Sequence, residues 1–274
     1  TLGVLGGGQL GAMFATAARR MGYVIAVWDP DPEAPAHRIA DYSLVRPFTD
    51  ADARTEFTQR VRAVTYEWEN VPADLCEQLE RDLPVRPSSR VLRVIQDRIE
   101  QKTFLRSHGL AVPTFSTVSS PDELGRQTMP PYPLVCKTAT AGYDGKGQWK
   151  ILRAEDCPAV QQELDRSMRP GSRWILEEWL PFEREVSVLV VRGVDGASRT
   201  YPVVENVHEG GILRQTTVPA DVTASVAVQV ATMAEEAVRT LDGVGVFCVE
   251  LFLMSDGRVL INEVAPRPHN SGHY

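Results

Sequence analysis

Two glutamates near the end of the chain, Glu250 and Glu263, lie in segments that are otherwise largely apolar, VFCVELFLM and VLINEV. Between them, Asp256-Gly257 is a strong signal for a two-residue hairpin loop. With those two residues as the loop, Ser255 pairs with Arg258, and Glu250 faces Glu263 on one side of the sheet. Facing side chains on paired strands have Cβ atoms about 4.5–5.5 Å apart, where like charges repel. Two carboxylates held this way call for a cation, and hard oxygen ligands favour Mg²⁺, with Mn²⁺ as the alternative, over Zn²⁺. A three-residue loop would instead set Asn262 opposite Glu250, and Asn262 could still serve as a ligand. The competing reading is that one Glu simply faces solvent.

The residues that follow add donors. Pro266 and Pro268 stiffen the chain on either side of Arg267, and Arg267, His269 and Asn270 fall within four residues. That set suits a small anion beside the metal, although a lone His is more often structural. A second cluster runs through Thr138–Gln148, TATAGYDGKGQ, after a strand ending in Lys137. Gly142, Gly145 and Gly147, with Tyr143, Asp144, Lys146 and Gln148 among them, make a loop able to fold over a polyphosphate. Lys137 would neutralise the phosphates from below. A glycine-rich hairpin loop is the plainer reading, and the spacing is not that of a P-loop. Glu177-Glu178-Trp179-Leu180 at a strand end, with Glu185 close behind, can offer main-chain groups to an adenine edge and a carboxylate to ribose hydroxyls. A solvated acidic strand end is the alternative. Near the start, Gly6-Gly7-Gly8-Gln9-Leu10-Gly11 fits G-x-G-x-x-G, with Asp29 about 20 residues on. That turn suits a nicotinamide or flavin dinucleotide, another anion, or a purely structural turn.

Positioning these groups requires alternating strands and helices. Residues 2–5, 23–28 and 63–66 read as strands, and 9–21 and 51–61 as helices, the first with Leu10, Met13, Phe14 and Ala17 on its buried face. This order predicts a parallel α/β sheet covered on both sides. A helix is expected over 89–108, ended by Gly109. Strands follow at 134–137, 148–152 and 174–179, with a helix at 157–166, as one compact α+β unit. Strands at 186–192 and 200–207, a helix at 222–241 and the hairpin at 244–254 and 258–264 complete the second half. The chain's 274 residues suit about two domains. Its 36 acidic and 29 basic residues, a net charge of −7, argue against broad nucleic-acid binding, which needs a basic face. No apolar run approaches the roughly 18 residues a membrane helix needs. The opening residues read as strand and turn rather than a leader, and four scattered cysteines read as free thiols of a reducing cytoplasm. We expect the fold to continue past Tyr274.

Taken together, GGGQLG at 6–11, TYEWENV at 65–71, DRIEQK at 97–102, the 137–148 loop, EEWLPFEREVS at 177–187 and NEVAPRPHNSGHY at 262–274 resemble the ATP-grasp superfamily, most closely its 5-(carboxyamino)imidazole ribonucleotide synthases. The resemblance implies a Rossmann-like substrate domain over 1–90, a helical linker over 91–112, a small ATP-grasp lobe over 113–180 and a central lobe over 181–274. It implies that Arg98 and Lys137 contact ATP phosphates and that residues 142–148 form the closing loop. Glu177, Glu178, Trp179 and Leu180 would hold adenine, Glu185 the ribose, and His208 would line the nucleotide site. Glu250 and Glu263, beside Asn262, would bind Mg²⁺. The superfamily's usual Asn two residues after the metal-binding Glu is here Ala265, as in this subfamily. Arg267, His269 and Asn270 would hold bicarbonate and the carboxyphosphate made from it. Gln9 and Leu10, with Glu67 or Glu69, would face 5-aminoimidazole ribonucleotide. A homodimer is also implied. Other ATP-grasp carboxylases or formyl-transfer ligases, and a nicotinamide-dependent oxidoreductase, are the rival readings.

Overall fold

The computed structural model describes residues 1–125, 130–140, 142 and 147–274. The chain opens with β1 (Leu2–Leu5), α1 (Gln9–Arg20), β2 (Ile25–Trp28), β3 (Tyr42–Leu44), α2 (Ala51–Arg60), β4 (Ala63–Tyr66) and α3 (Ala73–Leu79). The four strands form a parallel sheet in the order β3-β2-β1-β4. Val4, Ile25 and Val27 pack with α1 on one side, while Leu5, Trp28 and Tyr66 pack with α2 and α3 on the other. The parallel, doubly covered sheet is therefore as expected, but the buried face of α1 is not. Gly11, Ala15 and Ala18 point inward, and Met13 is 44% exposed. Small residues let the helix lie close to the sheet, and that closeness outweighs the larger apolar side chains. The second strand also starts late, because Tyr23 and Val24 are exposed.

The helix expected over 89–108 is two helices, α4 (Ser89–Ile95) and α5 (Arg98–Ser107). Asp97 breaks it: its backbone is extended and its carboxylate accepts the N–H groups of Ile99 and Glu100, capping a new helix. The small lobe comprises β5 (Phe115–Val118), β6 (Leu134–Thr138), β7 (Gln148–Ile151), α6 (Cys157–Ser167) and β8 (Trp174–Glu178), its strands antiparallel in the order β5-β8-β6-β7.

The central lobe comprises β9 (Arg184–Arg192), β10 (Ser198–Thr200), β11 (Val204–Glu209), β12 (Ile212–Thr217), α7 (Ala224–Thr240), β13 (Gly245–Leu253) and β14 (Val259–Ala265), its sheet ordered β12-β11-β9-β13-β14 with β10 beside β9. The strand expected over 200–207 is divided between β10 and β11, which pair with different stretches of β9. Period-two alternation splits this sheet into two faces. Val186, Val188, Val190, Phe247, Val249 and Leu251 pack with α7 in the core. The alternate residues Glu185, Ser187, Cys248, Glu250 and Phe252 point the other way.

The hairpin expectation was right in its pairing and wrong in its loop. Met254 pairs with Arg258, so the loop has three residues, closed by Gly257 at φ 85°. That shift alone would misalign the glutamates. A bulge at Asn262 then adds a residue to β14, and Glu250 again pairs with Glu263. All four cysteines are buried free thiols. Among the described residues no helix is long and apolar enough to cross a membrane.

If the two faces are correctly assigned, Leu251→Ala should cost about 2–5 kcal/mol in urea unfolding, and Phe252→Ala, one position along on the open face, clearly less. Equal losses would contradict the assignment.

Candidate active site

The polar face of the central sheet, the end of the small-lobe sheet and the start of α5 enclose a cleft of about 440 Å³. Its floor is set by β13 and β14. Glu250 and Glu263, paired across them, both line the cleft, as does Asn262 from the bulge between them. Each carboxylate already faces a cation or donor. His269 Nε2 lies 3.2 Å from Glu250 Oε1, and Arg98 Nη2 lies 3.8 Å from Glu263 Oε2. Burial would raise the Glu250 carboxyl, yet the hydrogen bond from His269, with His208 and Arg267 nearby, holds it below the usual range. Among the described residues no group of three or more His, Cys, Asp or Glu side chains is arranged to hold a metal ion. Any divalent cation here would take two protein carboxylates and fill its other positions from water or ligand oxygens. Mg²⁺ favours that pattern, so the residues fit it.

Arg98, at the first position of α5, reaches into the cleft and donates to the carbonyls of Thr138 (3.3 Å) and Gly142 (3.1 Å). Lys137, at the end of β6, lies 2.6 Å from Glu177 Oε2. Lys102, one turn after Arg98 on α5, lies 3.1 Å from Glu177 Oε1 and donates to the Asn262 carbonyl at 2.9 Å. Glu177 is 2% exposed; Lys137 hydrogen-bonds its Oε2, and Lys102 forms an ion pair at its Oε1. Burial opposes its charge, but Lys102 and Lys137 overcome this and hold it down at about 2. Any contact of Glu177 with a base is therefore left to its main chain. Lys102 escaped the sequence reading, although its i,i+4 spacing from Arg98 within DRIEQK places both on one helix face.

At the far wall, Glu178 accepts the Thr114 N–H at 2.7 Å. The Glu178 and Trp179 N–H groups bond to the carbonyls of Thr114 and Pro133. The Leu180 N–H has no main-chain partner among the described residues, and Leu180 lines the cleft. Phe182 and Phe252 stack at 4.5 Å beneath it. His208 Nδ1 lies 2.9 Å from Glu185, whose hydrogen bond raises the imidazole pKa. The tail crosses the opposite end. Arg267 is half-buried and forms an ion pair with Glu69, and it stands with His269 and Asn270 in the lining. Of the expected loop, Gly142 and Gln148 line the cleft and Gly147 adopts φ 70°. Tyr143, Asp144, Gly145 and Lys146 lie outside the described residues.

The first glycine turn is closed by the protein's own acids. Asp29 accepts the Gly7 N–H at 2.6 Å, and Glu67 accepts those of Gly8 (2.9 Å) and Gly11 (3.3 Å). The donors a dinucleotide pyrophosphate would need are thus taken, which removes the structural basis of the nicotinamide reading. Burial raises the Glu67 carboxyl, against those N–H groups. Gln9, Leu10 and Glu67 are not among the cleft-lining residues, whereas Glu69 is.

A parallel-sheet domain joined to two antiparallel lobes, with a charged cleft between the lobes, defines the ATP-grasp class. Residues 103–274 match the ATP-grasp domain family, and residues 1–96 match the ribonucleotide synthetase preATP-grasp domain family. N5-carboxyaminoimidazole ribonucleotide synthase of Bacillus subtilis is 38% identical over all of this chain and 71% of its own length. The synthase of Brucella melitensis is 36% identical, over 100% of this chain and 75% of its own. The crystal structure of the Aspergillus clavatus enzyme in complex with ADP and 5-aminoimidazole ribonucleotide superposes with a TM-score of 0.87 at 31% identity, over 99% of this chain and 71% of that one. An ADP complex of N5-carboxyaminoimidazole ribonucleotide synthetase reaches a TM-score of 0.92 at 38% identity, over 99% and 71%. The chain belongs to the N5-carboxyaminoimidazole ribonucleotide synthase family of ATP-grasp ligases.

The Glu177 carboxylate sets an acid limb on stability. Its folded pKa lies below the usual 4.5, so its contribution is complete above that value and is lost as pH falls toward about 2. Unfolding free energy should drop over that window in the wild type and drop less steeply in Glu177→Gln. Parallel curves would contradict the ion pairing.

Proposed function

We propose that this protein carboxylates 5-aminoimidazole ribonucleotide with bicarbonate and ATP, giving the N5-carboxy derivative, ADP and phosphate in purine biosynthesis. The single observation that carries the reading is the cleft itself. It sets paired carboxylates, two phosphate-seeking cations and an Arg-His-Asn donor group around one space.

Arg98 and Lys137 would hold the ATP phosphates, together with the loop of residues 142–148. Both are well placed because their charges reach the cleft from rigid elements, α5 and β6. The adenine would lie against Trp179, Leu180 and the stacked Phe182 and Phe252, reading the main chain of residues 177–180. Glu185 would bind the ribose and is held in place by His208. Glu250 and Glu263, with Asn262 beside them, would hold Mg²⁺, which when bound neutralises the phosphate charge that otherwise resists an anionic nucleophile. Arg267, His269 and Asn270 would hold bicarbonate in line with the terminal phosphate. Glu69 fixes the guanidinium from behind.

The barrier arises because bicarbonate is an anion attacking an anion. Preformed donors and cations lower it without reorganising, which is the largest contribution available to such a site. Transfer of the phosphoryl group gives carboxyphosphate, and the exocyclic amine of the ribonucleotide then takes the carboxyl group, directly or as released CO₂. Closure of the 142–148 loop would shield that labile intermediate from water. The ribonucleotide would sit between Glu69 and the glycine turn that carries Gln9 and Leu10, with Glu67 shaping that turn. We further read residues 1–90, 91–112, 113–180 and 181–274 as substrate domain, linker, small lobe and central lobe. The homodimer rests on the family resemblance, and the cytoplasmic location on the four free thiols.

ADP release by the purified protein should require both 5-aminoimidazole ribonucleotide and bicarbonate, and Arg267→Gln should lower kcat/KM for bicarbonate by roughly 100-fold with little change in KM for ATP. Turnover independent of bicarbonate would refute the reading.

A further inference from the structure

Behind the proposed bicarbonate site lies a chain of buried polar groups that no step above uses. Ser187, Asn206 and Ser271 are 0%, 5% and 0% exposed, and Ser187 and Asn206 pair with Glu250 and Glu185 in the central sheet. Thr216 Oγ1 is 2.9 Å from Asn206 Oδ1, and Asn206 Nδ2 is 2.8 Å from Ser187 Oγ. Ser187 Oγ is 2.9 Å from Ser271 Oγ, and Ser271 Oγ is 2.9 Å from His269 Nδ1. The other ring nitrogen of His269 meets Glu250 at 3.2 Å. Four side chains from β12, β11, β9 and the tail thus end on one imidazole.

Hydroxyls can donate in either direction, so such a chain could run two ways. A main-chain donor decides between them. The Ser271 N–H points at His269 Nδ1 at 3.3 Å, and an amide N–H can only donate. His269 Nδ1 is therefore an acceptor. The Ser271 hydroxyl then donates to it, Ser187 donates to Ser271, the Asn206 amide donates to Ser187, and Thr216 donates to Asn206. Every buried group is satisfied in that order.

We propose that Asn206, Ser187 and Ser271 are positioning residues that hold His269 as the tautomer protonated on Nε2, so that it meets the cleft as a hydrogen-bond donor. The tautomer of a histidine is set by the bond at its far nitrogen. The proposal rests on the carboxylation reading and sharpens it. His269 steadies an anionic oxygen of bicarbonate or carboxyphosphate, and it is not the base that removes the amine proton of the ribonucleotide.

Protein labelled with ¹⁵N-histidine, with the His269 signals assigned by difference from His269→Gln, should show Nδ1 unprotonated and Nε2 protonated. A proton on Nδ1, as the other tautomer or as imidazolium, would overturn the proposal. Asn206→Asp keeps the shape but removes the donor, and Thr216→Val removes the outermost hydroxyl at nearly constant volume. Both should mix the tautomers and lower kcat by roughly tenfold while KM for ATP stays within about twofold. An unchanged spectrum and kcat in both variants would equally overturn it. The wild-type spectrum needs no variant to fold and no turnover. A fixed Nε2–H form in a protein without bicarbonate-dependent turnover would support the chain and count against carboxylation.

Discussion

Two carboxylates face each other across β13 and β14, and the site is organised around that repulsion. Glu250 and Glu263 sit on paired positions of a sheet whose reverse side is solid hydrocarbon. Neither can turn away without pulling a strand out of register, since a one-residue slip would exchange the core face for the cleft face. The surrounding structure answers it with two guanidinium groups and a hydrogen-bond donor. Arg98 approaches from α5, Arg267 stands close by, held by Glu69 from the first domain, and the His269 ring meets Glu250 from the tail. A divalent cation would complete what these groups begin.

The same logic extends to the small lobe. Lys102 reaches from the linker helix to Glu177 on β8 and to the Asn262 carbonyl on β14, so one buried ammonium touches both walls of the cleft. Glu177 in turn meets Lys137. Removing Glu177 would leave the buried Lys102 ammonium without its carboxylate, a costly state. Lys137 on β6 and the strand β14 are thereby referred to a common point. Tight placement of this kind is what phosphoryl transfer demands, since misplacement of about 1 Å can cost about a hundredfold in rate.

Much of this was legible in the residues. Alternation in VFCVELFLM separates Glu250 from the core, and the spacing in RPHN foretells a compact donor group. The glycine turn was legible as a turn but not as an anion site, because its donors go to Asp29 and Glu67, partners that only the folded sheet brings near. The hairpin shows how local rules can err twice and still agree: a longer loop and a bulge cancel, since burial of one face fixes the pairing whatever the turn does. The split at Asp97 and the role of Lys102 were less visible. A capping side chain looks like any other polar residue in a helical pattern, and a buried lysine resembles a solvated one until its partners arrive from β8 and β14. The Thr216–Asn206–Ser187–Ser271 chain lay beyond sequence reasoning, since its members are spread over four segments.

The most direct test of the central claim is the Mg²⁺ dependence of ATP binding, measured by titration calorimetry on the wild type and on Glu263→Gln. The account predicts that Mg²⁺ tightens ATP binding by at least about tenfold in the wild type, roughly 1.4 kcal/mol, and hardly at all in the variant. The same gain in both proteins would show that the paired carboxylates do not hold the ion.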